Sequence, residues 1–163
     1  MNKTIFKAEN NVLTVERTFN AAVNLVWKAW TEAELLDQWW APKPWKSQTK
    51  SMDFRTGGQR LYAMVGPNNE EHWGITTYTN IELQKHFSGE DAFSDEDGTI
   101  NPEFPVAKFD NHFDSESEDT KVTIVTTYAS EEHLKQVIEM GMKDGLTNAF
   151  KNLDELLNNA QPK

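Results

Sequence analysis

The chain has 163 residues, of which 37% are hydrophobic and 26% are charged, and this composition is typical of one globular domain spanning residues 1–163. Because the chain has no cysteine, disulfide bonds, thiolate catalysis and cysteine-ligated metals are excluded. No apolar run approaches the length of a membrane-spanning helix, and the polar first residues do not resemble a signal peptide. We therefore expect a cytoplasmic protein.

The formal net charge of −10 comes from one segment of the chain. Between Glu90 and Asp119 there are eleven carboxylates, and Lys108 is the one basic residue among them. A negative surface repels phosphate backbones and anionic lipids. The charge pattern therefore predicts that the protein binds neither nucleic acid nor membranes.

The first part of the predicted core, which spans residues 12–158, is a strand followed by two helices. Polar and apolar side chains alternate over 12–19, which is the period of a half-buried strand. Asn20 is placed to cap a helix, and Thr31 with Glu34 matches a capping box that would begin a second, shorter helix. The prolines after residue 41 prevent this second helix from continuing.

Five of the six tryptophans cluster in this helical region, at Trp27, Trp30, Trp39, Trp40 and Trp45. Two interpretations remain open. The rings form either a hydrophobic plug that closes one end of the core, or the aromatic mouth of a pocket.

Six further strands are predicted, at 45–54, 59–65, 71–83, 85–93, 106–114 and 121–128. Because most of their connections are short, the sheet should be antiparallel. The polar connection 94–105 is longer than a hairpin requires. Ser130 is then expected to cap a helix whose first turn carries two glutamates.

Residues 140–157 have the apolar spacing of an amphipathic helix. Gly141, Gly145 and Ala149 form a stripe of small residues along it, although a glycine within a helix costs about 1 kcal/mol. The stripe indicates either tight packing against the sheet or space for a ligand. A curved sheet wrapped around this last helix is the simplest arrangement of these elements.

The order of elements resembles the α+β helix-grip fold of the START and Bet v 1-like (SRPBCC) superfamily. The motifs resemble the family of activator of heat-shock protein 90 ATPase homologues. They are Val-Trp-Lys-Ala-Trp-Thr at 26–31, Trp-Trp-Ala-Pro-Lys at 39–43, Asp-Phe-Arg-Thr-Gly-Gly at 53–58, Trp-Gly at 73–74 and Leu-Asp-Glu-Leu-Leu at 153–157. Thr56 stands where the family usually has proline. The resemblance implies a cavity between the sheet and the last helix, but it does not imply one substrate.

Our first functional hypothesis is that an apolar small molecule binds in this cavity. The candidate ligand-binding residues are Trp39, Trp40, Tyr62, Met64, Trp73, Phe87, Met142, Gly145, Leu146 and Phe150. No cofactor is expected. The strand 59–65 has apolar side chains on both faces, so its orientation is left open, as is the formation of a homodimer.

Two alternatives follow from other features of the chain. A co-chaperone role would use the acidic 90–119 region to dock a basic surface of a heat-shock protein 90 ATPase or another partner. A cavity-based enzyme would need a general base, and we expect at most one of His72, His86 and His112 inside the cavity. The sequence has none of the usual nucleophile, phosphate-loop or dinucleotide motifs.

No metal site is predicted. If Phe93 pairs with Val106, then His86 faces Phe113, and the imidazoles of His86 and His112 lie on opposite faces of the sheet; a slip of one residue would bring them together. The acidic 95–98 stretch lacks the spacing of a calcium loop and is expected to be a solvated turn.

Arg55 and Arg60 flank the predicted turn at Gly57 and Gly58. Either arginine could hold the carboxylate of a ligand. We expect a surface ion pair instead.

Overall fold

The computed structural model describes residues 4–41, 43–103 and 106–160. The strands are β1 (Ile5–Glu9), β2 (Val12–Phe19), β3 (Lys46–Met52), β4 (Gln59–Val65), β5 (Glu71–Glu82), β6 (His86–Ser94), β7 (Ala107–Glu116) and β8 (Asp119–Thr127). The helices are α1 (Val23–Thr31), α2 (Ala33–Trp39), α3 (Glu131–Glu139) and α4 (Met142–Ala160).

All eight strands belong to one antiparallel sheet, in the order β1-β2-β8-β7-β6-β5-β4-β3. Helices α1 and α2 connect β2 to β3, which lie far apart in the sheet. The sheet curves around α4, and we call the surface that faces α4 the concave face and the opposite surface the convex face. This arrangement confirms the predicted helix-grip fold.

The core forms where the concave face of β2 meets the inner face of α4. Alternate residues of β2, from Leu13 to Phe19, are buried, as the strand period requires. On α4 the buried residues include Phe150, Leu153 and Leu157, which recur at helical spacing. The apolar faces predicted from the strand period of β2 and the helical period of α4 therefore pack together in one core.

A buried ion pair ties α4 to the sheet. Arg17 Nη1 and Nη2 donate to the two carboxylate oxygens of Asp154 at 3.0 and 2.6 Å, and Nη1 also donates to the carbonyl oxygen of Phe150 at 3.1 Å. The Arg17 side chain is only 7% exposed. This two-pronged contact fixes the position of α4 along β2.

Most of the clustered tryptophans form a hydrophobic plug at one end of the core. The ring centroids of Trp30 and Trp39 lie 4.6 Å apart, and Trp30 also contacts Phe19 at 5.7 Å. Trp39 is fully buried, and its indole N–H donates to the carbonyl oxygen of Ala29 at 2.9 Å. For these rings the plug interpretation is confirmed.

Two predicted helix starts are wrong. Helix α1 has Ala22 at its N-cap, not Asn20. Thr31 does not begin a capping box, because it is the last residue of α1 and its hydroxyl donates to the carbonyl oxygen of Trp27 at 2.9 Å. The N-cap of α2 is Glu32, which makes no capping hydrogen bond through its side chain. By contrast, Ser130 caps α3 as predicted, accepting from the His133 N–H at 3.0 Å.

Strand β1 was not predicted, because most of its residues are exposed and it lies at the edge of the sheet. Of the two prolines expected to stop α2, Pro42 lies outside the described residues, and the helix ends at Trp39, before Pro44. The Asp95 turn forms as expected, with the carboxylate accepting from the N–H groups of Asp97 and Thr99 at 2.9 Å each.

Gly141 separates α3 from α4 and does not continue the helical stripe. Its φ of +91° lies in the left-handed region, and its N–H donates to the carbonyl oxygen of Ile138. A Cβ at this position would meet nothing within 4 Å. Gly141 is therefore a helix terminator, and its predicted place in the small-residue stripe within the helix is wrong.

Candidate functional site

Along β8 and α4, burial decreases from one end of the core to the other, although β2 stays buried throughout. On β8, Thr120 and Val122 are buried, whereas Ile124 and Thr126 are half-buried although they lie in a central strand. On α4, Phe150 is buried but Leu146, one turn earlier, is half-buried. These half-buried side chains border the region between the first turns of α4 and the floor of the sheet, and we call this region the groove.

A carboxyl group lies on the floor of the groove. Asp91 of β6 accepts a hydrogen bond of 2.6 Å from the hydroxyl of Thr76, its cross-strand neighbour on β5. Burial raises the pKa of Asp91 from its ordinary value of 3.8 to about 6, and the hydrogen bond from Thr76 and the charge of Arg60 oppose this rise. The groove therefore contains an acid that titrates close to neutral pH.

The charge of Asp91 acts on three tyrosine hydroxyls. Burial, and secondarily the charge of Asp91, raise the pKa values of Tyr62 and Tyr128 to about 12. Burial also raises the pKa of Tyr78, and the Asp91 charge adds to that rise. These hydroxyls consequently stay protonated at neutral pH and can donate hydrogen bonds.

Arg60 supports the site from β4. Its guanidinium donates to Ser47 Oγ at 2.9 Å and to Thr49 Oγ1 at 3.2 Å, and it lies 4.1 Å from the centroid of the Tyr62 ring. An ion pair to Asp37 of α2, at 3.4 Å, completes the network. Arg60 is 3% exposed, so the prediction of a surface ion pair is wrong for it. For Arg55 that prediction is confirmed by its exposed pair with Asp53.

Two polar groups beside the groove are buried without a hydrogen-bond partner in the described structure. One is the indole N–H of Trp40, and the other is the side-chain carbonyl oxygen of Asn111. The Trp40 N–H lies close enough to the Tyr62 hydroxyl to favour its ionised form, but without regular hydrogen-bond geometry. Such orphaned buried groups are rare because each costs about 1–3 kcal/mol. Both atoms are shielded from solvent, so a ligand could bond to them only after neighbouring side chains moved aside.

Two glycines make room for the aromatic rings on the floor. Gly74 lies opposite Tyr62 on the neighbouring strand, and a Cβ there would be 3.0 Å from the Tyr62 ring. Gly89 lies opposite Phe109, and a Cβ there would be 2.9 Å from that ring. Each ring therefore packs over a glycine of the neighbouring strand, where a larger residue would collide with it.

The structure brings together most of the predicted ligand-binding residues. Tyr62, Met64 and Phe87 lie on the concave face, and Met142, Leu146 and Phe150 face it from α4, where Gly145 is half-buried. Trp39 is sealed in the plug. Trp73 lies on the convex face, since its neighbour Gly74 is on the concave one, and its ring is 5.8 Å from Lys50 Nζ.

The sequence analysis missed the polar residues of the floor. Asp91 was assigned to a solvated acidic face, and Asn111 and Tyr128 were not singled out. The alternation of burial along β6 and β7 places Asp91 and Asn111 on the same face as Phe87 and Phe109. Because alternate residues of a strand share a face, the sequence could have predicted that Asp91 lies on the same face as Phe87.

The histidines lie mainly outside the groove. His86 pairs with His112, so the predicted register, which set His86 against Phe113, is wrong by one residue. Both imidazoles lie on the convex face. His72 shares the concave side of β5 but is exposed and contacts Trp45. Among the described residues, the one contact between a histidine and a carboxylate is that of His86 with Asp110 on the convex face.

Two surface depressions elsewhere do not involve the predicted ligand-binding residues. One of about 720 Å³ lies near the β5–β6 turn and includes Leu83, His86 and His112, and we call it the outer depression. One of about 270 Å³ lies along β1 and β2.

The acidic region does not form one surface. Asp91 faces the groove, Asp110 lies on the convex face, and the turns at 95–97 and 116–119 lie at opposite ends of β7. A ten-residue strand separates these turns by roughly 30 Å.

The curved sheet gripping a long helix places the chain among the helix-grip proteins. A sequence profile of the family described as "Activator of Hsp90 ATPase homolog 1-like protein" matches residues 20–158, and the chain belongs to this family. No curated protein matches the sequence.

Solved structures of similar proteins share the fold over almost the whole chain. Protein Ms6760 from Mycobacterium smegmatis is 31% identical with a TM-score of 0.88, and the match covers 99% of this chain and 100% of that one. A protein from Arthrobacter aurescens is 29% identical with a TM-score of 0.88, over 96% of this chain and 91% of that one. A protein from Staphylococcus epidermidis is 25% identical with a TM-score of 0.86, over 97% and 96%. No helix in the described part of the chain is long and apolar enough to cross a membrane.

Proposed function

We propose that this protein binds a small, mostly apolar molecule in the groove between the concave face and the first half of α4. The observation that carries the proposal is the pair of orphaned polar groups, the Trp40 N–H and the Asn111 carbonyl oxygen. A ligand that bonded to both would remove the cost of leaving them unpaired.

The lining supports a ligand with both apolar and polar parts. Half-buried Ile124, Leu146 and Met142 offer apolar surface, and the Tyr62 and Tyr128 hydroxyls offer donors. Small-molecule sites are mostly apolar, with a few converging polar groups that fix orientation. We therefore expect a ligand with an apolar body and at least one hydrogen-bonding group.

An apolar fluorescent dye, such as an anilinonaphthalene sulfonate, tests whether the groove accepts a ligand. Leu146→Trp and Gly145→Leu add side-chain bulk that fills the α4 side of the groove, and each should leave the protein folded while weakening dye binding at least ten-fold. Leu83→Ser is the matched control, because Leu83 is 74% exposed in the outer depression. Dye binding that is lost in Leu83→Ser but kept in both α4 variants would refute the proposal.

Gly145→Leu also distinguishes ligand space from tight packing. If the position faces ligand space, the variant keeps or gains stability, by up to about 1 kcal/mol of helix propensity. If the sheet packs tightly there, the variant loses about 1–3 kcal/mol. Thermal unfolding with and without the dye separates the two cases.

The family suggests a second function, as a co-chaperone of an Hsp90 ATPase. The purified chain would be titrated into an Hsp90 ATPase assay at low and moderate salt, because attraction between charged surfaces weakens with salt. An unchanged ATPase rate at both ionic strengths would exclude this role. A catalytic role has weaker support, because no histidine–carboxylate pair faces the groove among the described residues.

A further inference from the structure

Three metal-ligating side chains converge on the convex face, outside the groove. His86 of β6 and His112 of β7 occupy directly paired positions, and Asp110 precedes His112 by two residues and so lies on the same face. One donor atom from each side chain lies within 4.8 Å of the other two. We call these three residues the convex triad.

From this geometry we propose that the convex triad binds a divalent first-row transition metal ion of the Zn²⁺ type. Two imidazoles and one carboxylate match the ligand preference of Zn²⁺, Ni²⁺ or Cu²⁺, whereas Mg²⁺ and Ca²⁺ prefer oxygen ligands alone. The site is independent of the proposed ligand groove, since its side chains lie on the other face of the sheet.

The distances are compatible with coordination after small side-chain rotations. Around a tetrahedral Zn²⁺ with bonds of about 2.0–2.1 Å, ligand atoms lie about 3.3 Å apart. His86 Nε2 and Asp110 Oδ1 are already 2.9 Å apart, and the imidazole centroids of His86 and His112 are 4.6 Å apart. His112 is exposed and Asp110 is about half-exposed, so their side chains can close the remaining gap, at most about 1.5 Å between donor atoms, while the strands stay in place.

The surroundings favour an ion with an open coordination position. His86 and His112 both line the outer depression of about 720 Å³, which leaves room for water or a small ligand beside the metal. Three protein ligands with one free position are the arrangement found in catalytic zinc sites, whereas structural sites use four protein ligands. The net charge of −10 also raises the local concentration of cations.

Isothermal titration of the tag-free protein with Zn²⁺ tests the proposal. We expect one ion per chain, and His86→Ala and His112→Ala should each weaken binding at least ten-fold. Asp110→Asn should weaken it less, because the amide keeps one oxygen. His72→Ala is the matched control, since His72 is an exposed histidine outside the triad. The affinity of this variant for Zn²⁺ should equal that of the unaltered protein.

A measurement on the unaltered protein avoids any question of misfolded variants. During a titration with less than one equivalent of Zn²⁺, the imidazole resonances of His86 and His112 should shift together, while those of His72 and His133 stay in place. The absence of Zn²⁺ binding would overturn the proposal. So would binding that survives both histidine substitutions, or shifts confined to His72 or His133.

Discussion

Replacing Asp91 with asparagine should stabilise the protein at neutral pH. The carboxyl is half-buried in the groove, and its pKa rises to about 6 because burial penalises the charged form. Asparagine has nearly the same shape and keeps an oxygen that can accept from the Thr76 hydroxyl. The substitution therefore removes mainly the cost of the buried charge.

The size of the expected gain in stability follows from the pKa of Asp91. A rise from 3.8 to about 6 corresponds to about 3 kcal/mol of differential stability, since each unit is worth about 1.4 kcal/mol. Partial exposure to solvent lowers this to about 1–2 kcal/mol. The pKa of Asp91 is higher in the folded protein than in the unfolded chain, so protonation of its carboxyl stabilises the fold. This stabilisation is complete below pH 3.8 and is lost as the pH rises through 6. The gain of Asp91→Asn should thus be small at pH 4 and nearly complete at pH 7.

Urea unfolding at pH 4, 5.5 and 7 would measure this difference between the variant and the unaltered protein. Asp114→Asn is the matched control, because Asp114 is exposed on β7, and its effect should not follow the same pH course. A variant that is less stable at pH 7, or a gain that does not shrink towards pH 4, would refute the reasoning. A ligand-free protein that keeps a destabilising carboxyl would fit a site adapted for binding.

Substitutions at three positions test other parts of the fold by urea unfolding. Asp154→Asn leaves the 7%-exposed Arg17 side chain without its carboxylate and should cost about 2–3 kcal/mol, and a loss below about 0.5 kcal/mol would show that the pair is dispensable. Gly89→Ala places a Cβ against the Thr77 carbonyl oxygen and should cost about 1–3 kcal/mol. Gly141→Ala meets no neighbour, so only the strain of φ +91° remains, about 1–2 kcal/mol, and Gly141→Asn should cost less.

Local patterns in the sequence determined much of the fold. Alternation along β2 and helical spacing along α4 each require one buried face, so the sheet and the last helix could be predicted and joined. Ser130 was recognised as a cap because its hydroxyl acts on a backbone N–H only three residues away. These features depend on neighbours within a few residues.

The tertiary structure decided the features that depend on pairing between distant residues. A register shift of one residue placed His86 beside His112, and nothing in either strand alone fixes that register. Arg60 is buried because Asp37, Ser47 and Thr49 come to it from another helix and strand. The pKa of Asp91 rises for the same reason: the surfaces that bury its carboxyl come together only in the folded protein, so a carboxylate in an acidic stretch of sequence becomes a buried acid.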